Sequence, residues 1–155
     1  MQHRSRVRRD PNQPNLRQVH LVHAELFAEA EEQGYALAPG DLGENVLTRG
    51  VDLLGLPTDT VLHLGDASLR LTGLRNPCAQ INAFRPGLLE VVLAKEDGTP
   101  QGDPAPSTGS PTARDVRVVR KAGVMAVVER GGEIRPGQDI EVTLPPGPHR
   151  PLEPV

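Results

Sequence analysis

Apolar positions along the chain come in short runs separated by turn residues, which is the pattern of a β-rich domain. Leu16 to Val22 holds Val19, Leu21 and Val22, a run compatible with a buried strand. From His23 to Gln33 (HAELFAEAEEQ) the period changes. Leu26, Phe27 and Ala30 fall on one helical face, with Gly34 where a C-cap belongs, so a helix of about three turns is predicted. Pro39 to Glu44 (PGDLGE) reads as a turn and Asn45 to Thr48 as a short strand. The Leu-rich stretch Gly50 to Pro57 resists a single assignment, because Gly55 and Pro57 punctuate it. Thr60 to Leu64 and Ser68 to Thr72 flank Gly65-Asp66-Ala67 and alternate like the arms of a hairpin. Between Ala79 and Ala94 a helical spacing is broken at Pro86-Gly87, giving a short helical turn and then a proper helix. Val116 to Val119, Gly123 to Val128 and Ile140 to Leu144 are strand-like.

These elements amount to a mixed, mainly β (α+β) domain, most simply a barrel or a tightly curled sheet. At 155 residues there is room for one domain. It divides into an arm (residues 1–15), a domain (16–145) and a Pro-rich tail (146–155) extended along the surface. Within the domain, Glu96 to Asp115 is almost devoid of apolar residues and predicts a mobile loop, since it has little to bury against its ordering entropy. Aromatic residues make up 2% of the chain, so the core must be Leu, Val, Ile and Ala.

Charge changes this picture little. A net charge of −3 argues against a nucleic-acid-coating protein. The arm alone is basic, carrying Arg4, Arg6, Arg8 and Arg9. No apolar stretch reaches the ~20 residues of a membrane span, no h-region follows the basic start, and one cysteine cannot form an internal disulfide. A cytoplasmic location with no membrane partner is the default expectation.

The lone cysteine, Cys78, is the first candidate for chemistry. A thiol acts as nucleophile or metal ligand only as thiolate, which nearby cations favour. Arg75 lies three residues upstream, Pro77 fixes the backbone before it, and a helix is expected after it. The plainer alternative is a buried cysteine serving as a small apolar residue. The five histidines show no metal-site spacing and read as solvated or core-satisfied. Asp41 and Glu44 (DLGEN) read best as a tight turn closed by Glu44. There is no Walker loop, no GxGxxG opening a helix and no GxSxG.

Taken in order, RQVHLVHAEL (Arg17 to Leu26), PGDLGENVLTRGVDLLGLP (Pro39 to Pro57), LGDASLRLTGLRNPCAQI (Leu64 to Ile81) and RKAGVMAVVERGGEIRPGQDIEV (Arg120 to Val142) resemble the MOSC domain. That family is named after the C-terminal domain of molybdenum cofactor sulfurase. The resemblance implies a β-barrel-like fold that binds the molybdenum cofactor (molybdopterin) or handles sulfur destined for a metal centre. In reductase members the motif cysteine ligates molybdenum, and in sulfur-transfer members it is a proposed persulfide carrier; both roles would fall to Cys78. A soft thiolate suits either task better than serine would.

By the same resemblance Arg17, Arg75 and Asn76 are expected to line the phosphate-bearing pterin, with Lys121 and the arm residues His3, Arg4 and Arg6 behind them. Arginine matches phosphate through its bidentate fork. The plainer alternative for each is a solubilising surface charge.

The leading expectation is an oxidoreductase acting on N-hydroxylated or N-oxide small molecules. One cysteine cannot ligate an iron–sulfur cluster, and the sequence has no evident flavin or haem motif, so an electron-donor protein is needed. A sulfur carrier loaded by a cysteine desulfurase and a degenerate binding module without turnover stand as alternatives. Stand-alone family members usually begin with a strand and a GD-x-H-like loop upstream of the position of His3, which this sequence starts too late to contain. Either the start site is misassigned or an exposed sheet edge is expected, one that invites a homodimer.

Overall fold

A computed structural model describes residues 14–77, 80–96 and 117–155. Its centre is a six-stranded sheet. The strands are β1 (Val19–His23), β2 (Val46–Thr48), β3 (Val61–Leu64), β4 (Ala67–Leu74), β7 (Val124–Arg130) and β8 (Ile140–Thr143). They lie in the order β2-β1-β7-β4-β3-β8, all antiparallel except the parallel pair β1–β2. A separate antiparallel pair joins β5 (Leu93–Glu96) to β6 (Arg117–Arg120). Three helices complete the elements among the described residues: α1 (Glu25–Glu32), α2 (Gln80–Phe84) and α3 (Leu88–Val92).

The sheet curls into a half-barrel. The register between β4 and β7 shifts at Ser68/Leu69 and again at Leu71/Gly73, and such bulges bend and twist a strand. As a result Leu47 on edge strand β2 and Ile140 on edge strand β8 line the same clefts, of about 500 and 540 Å³. The edges approach without pairing.

Alternation along the strands sends side chains into two clusters. Leu21, Leu62, Leu64, Leu69, Leu71, Val124 and Ala126 fill the inner face, closed by Leu53 and Leu152. Val46 and Ile140, from opposite edges, pack on this same cluster. Val22 faces the other way, joining Leu26 and Ala30 of α1, Ile81 of α2, Leu88, Val91 and Val92 of α3, and Ala122. Strand β1 thus serves both cores, which explains why apolar Leu21 and Val22 stand side by side in it and are both fully buried.

The hairpin, the first helix and the strands read from the sequence are present, within a few residues at each end. The segment up to Ala94 corrects the reading. The second helix is only five residues long, and at Leu93 the chain turns into β5, which pairs in register from Leu93↔Arg120 to Glu96↔Arg117. Val91-Val92-Leu93 is as good a strand former as a helix former, and pairing with β6 decides the contest. The rest of the predicted loop, 97–115, lies outside the described residues, as does the arm up to residue 13.

The Pro-rich tail runs along the surface but is firmly held. Leu74 donates to the Glu153 carbonyl at 2.8 Å and accepts from Val155 at 3.2 Å. Thr58 holds the carbonyls of Arg150 (2.8 Å) and Pro151 (2.9 Å). Arg150 also pairs with Asp59 at 2.9 Å. Gly73 permits this approach, since a Cβ there would collide with the Glu153 carbonyl. No helix among the described residues is long and apolar enough to cross a membrane.

Candidate functional site

The ends of β1 and β4 bring the expected residues together. Both strands flank β7, with Leu21 and Leu74 each opposite Val124. One residue beyond β4, the Arg75 amide donates to the Gly123 carbonyl at 2.9 Å, extending the ladder. Gly123 has φ +91° and backs onto the Leu21 carbonyl, so no residue with a Cβ fits there. Arg75 therefore arrives beside β1, on the helix-covered face of the sheet.

There its Nη1 donates to Nδ1 of His20 at 2.8 Å, and the far nitrogen of the ring, Nε2, lies 2.7 Å from the Ala122 carbonyl. A guanidinium can only donate and a carbonyl can only accept, which assigns His20 the neutral tautomer with its proton on Nε2. Burial pushes the His20 pKa below its ordinary value of 6.5, and the Arg75 charge adds to that push. Tautomer and charge state agree. The acceptor in this contact is a neutral ring, not a carboxylate.

Asn45 fixes the strand that carries His20. Its Oδ1 accepts the His20 amide and its own amide donates to the His20 carbonyl, both at 2.8 Å. The neighbouring carboxylates serve the turn. Glu44 accepts the amides of Gly40 (2.5 Å) and Leu42 (3.2 Å), and Asp41 accepts that of Ala38 (2.9 Å). This is the turn that the DLGEN spacing predicts.

The remaining candidates are placed unevenly. The carbonyl of Leu16 accepts from the Thr72 hydroxyl at 2.6 Å, which anchors the residue before Arg17 to β4 three positions ahead of Arg75. Asn76 is exposed and Pro77 is buried. Lys121 lies next to Ala122, but its ammonium pairs with Glu29 of α1 and its amide donates to Val92 at 2.8 Å. Its charge is therefore engaged with the helix. Cys78, His3, Arg4 and Arg6 lie outside the described residues. Helix α2 starts at Gln80 and is only five residues long, so its dipole offers the preceding residues little.

His23, at the end of β1, is also held neutral by burial, against the nearby charges of Glu25, Asp52 and Glu29. Among the described residues no three His, Cys, Asp or Glu side chains converge to hold a metal ion. Neither cleft is lined by Arg17, Arg75, Asn76 or Lys121.

Sequence reasoning missed His20 and Asn45 as parts of this arrangement. The available signal was a polar ring inside the apolar run Val19-His20-Leu21-Val22, where alternation requires it to be buried and satisfied.

The MOSC domain family profile matches residues 12–141. Among solved structures the chain is similar to YiiM from Geobacillus stearothermophilus, with TM-score 0.58 and 17% identity over 82% of this chain and 54% of that one. It is also similar to YiiM from Escherichia coli, with TM-score 0.55 and 15% identity over 86% of this chain and 58% of that one. The chain thus spans little more than half the length of these structures, and at such identity the likeness is one of fold. No curated protein matches the sequence.

Proposed function

The chain belongs to the MOSC domain family, and from that premise we propose that it binds the molybdenum cofactor and reduces N-hydroxylated or N-oxide small molecules in the cytoplasm. A separate protein supplies the electrons. The observation that carries this reading is the Arg75–His20 contact. A guanidinium is oriented by a neutral ring acceptor three residues before the only cysteine of the sequence, and a guanidinium is the side chain best matched to an anionic, phosphate-bearing ligand.

The residues present fit a phosphate-bearing pterin. Arg75 is charged and aimed, exposed Asn76 can donate an amide hydrogen bond, and the backbone anchor at Leu16 brings Arg17 to the same pair of strands. When bound, the cofactor supplies the two-electron redox centre. The chain's own groups bind and orient it. Arg75 and Arg17 hold the phosphate, His20 and Asn45 fix Arg75, and Cys78 as thiolate ligates the metal. Lys121 adds positive charge, less so because of Glu29, and by the family resemblance His3, Arg4 and Arg6 would add to it.

The test is metal analysis of protein made in a cofactor-producing host. The expected result is stoichiometric molybdenum, abolished by Cys78→Ser and reduced by Arg75→Met with the fold retained. Protein free of molybdenum that instead gains sulfane sulfur at Cys78 from a cysteine desulfurase would replace this reading with the sulfur carrier. Protein showing neither would be a binding module.

A further inference from the structure

Strand β8 ends the sheet and, among the described residues, pairs only with β3. Natural edge strands are usually blunted by charge, proline or a bulge. Between Ile140 and Leu144 (IEVTL) the only such device is Glu141. Ile140, Val142 and Leu144 share one face. Ile140 packs on the inner cluster, whereas Val142 is 36% and Leu144 50% exposed, two of the five exposed large apolar residues on the described surface. The clefts at the seam reach Ile140 but neither of these two.

We propose that this edge is a homodimer interface, in which β8 pairs antiparallel with β8 of a second copy about a two-fold axis through Val142. The segment is self-complementary in that register alone. Directly opposed residues in an antiparallel pair lie on the same face. Centring on Val142 sets Ile140 against Leu144, Val142 against itself and Glu141 against Thr143. Apolar meets apolar and no charge faces its like. Moving the axis to Glu141 opposes two carboxylates, and moving it to Thr143 puts Pro145, which has no N–H, opposite Glu141. An axis between residues sets Ile140 against Thr143 or Glu141, mixing the faces.

A second copy is therefore the partner this edge selects. The other edge, β2, has only three residues, and pairing it with β8 would be head-to-tail, giving a ring or an open chain and not a two-fold dimer. The interface is independent of the cofactor reading.

The full chain should sediment as a reversible monomer–dimer system across a concentration series. Val142→Lys, which brings two ammonium groups together at the axis, should weaken dimerisation at least tenfold with an unchanged circular dichroism spectrum. Glu141→Gln should alter it less than twofold. In a Cys78→Ser background, Val142→Cys should oxidise to a covalent dimer without rearrangement. A monomer at every concentration would overturn the proposal. So would a dimer that a folded Val142→Lys variant still forms, or an open-ended series of oligomers.

Discussion

On the inner face of the sheet, Leu21, Leu62, Leu69, Leu71 and Val124 meet Leu53 and Leu152 in an aliphatic cluster whose members carry no chemistry. On the helix-covered face, one residue away along β1, His20 replaces a hydrocarbon with a ring that must find two partners, and it finds them in Arg75 and Ala122. The same strands build both. The inner face is held by burial, which is non-directional and forgiving of detail. The other face is held at this point by donors and acceptors that are either satisfied or costly. The difference locates function: an oriented charge can be supported only where the packing is polar enough to aim it.

The contrast can be tested by perturbing each face in turn. The largest effect is expected from Leu71→Ala, which opens a cavity in the fully buried inner cluster. It should cost ~2–5 kcal/mol in urea unfolding while leaving the His20–Arg75 pair in place. A loss under ~1 kcal/mol would mean the inner face collapses around the hole and is not the stabilising half.

Asn45→Ala comes next. It removes the acceptor of the His20 amide and should cost ~1–3 kcal/mol. The more telling readout is the His20 ring ¹⁵N shifts, which should lose the signature of one fixed tautomer. An unaltered spectrum would show that Asn45 only supports the backbone.

The smallest effect is a dependence on pH. The folded state keeps His20 neutral, with a depressed pKa, whereas the unfolded chain takes up a proton below about pH 6.5. The unfolded state then binds more protons, so this contribution is fully present above that pH and is lost as the pH falls toward the folded-state value. His20→Gln should flatten the decline of the urea midpoint between pH ~7.5 and ~5.5. Some slope should survive, because buried His23 has the same sign. An undiminished slope in His20→Gln would assign the whole effect elsewhere.

Much of this was legible in the sequence, and what was not has a common cause. The Val61–Leu74 hairpin needs only local information: alternation on both sides of Gly65-Asp66, where Gly65 takes φ +56°. The family motifs were legible because they are contiguous words. Strand β5 was not, since its pairing with β6 spans a long intervening segment and local propensity is nearly balanced. The His20–Arg75 contact was equally hidden. Those residues are 55 apart, and they meet only because β1 and β4 both choose β7 as neighbour. Arg17, Arg75 and Asn76 were nominated by resemblance; the group that orients Arg75 required the fold.

The packing of Leu152 into the inner cluster has a consequence for how the chain is made. Translation delivers residues in order, and domains generally fold as they emerge. Here the cluster between the sheet's edges stays open on one side until Leu152 has also emerged. Leu74, the last residue of β4, also awaits Glu153 and Val155 for its last backbone partners. Final closure of the core is thus tied to a residue that is made after every strand of the six-stranded sheet.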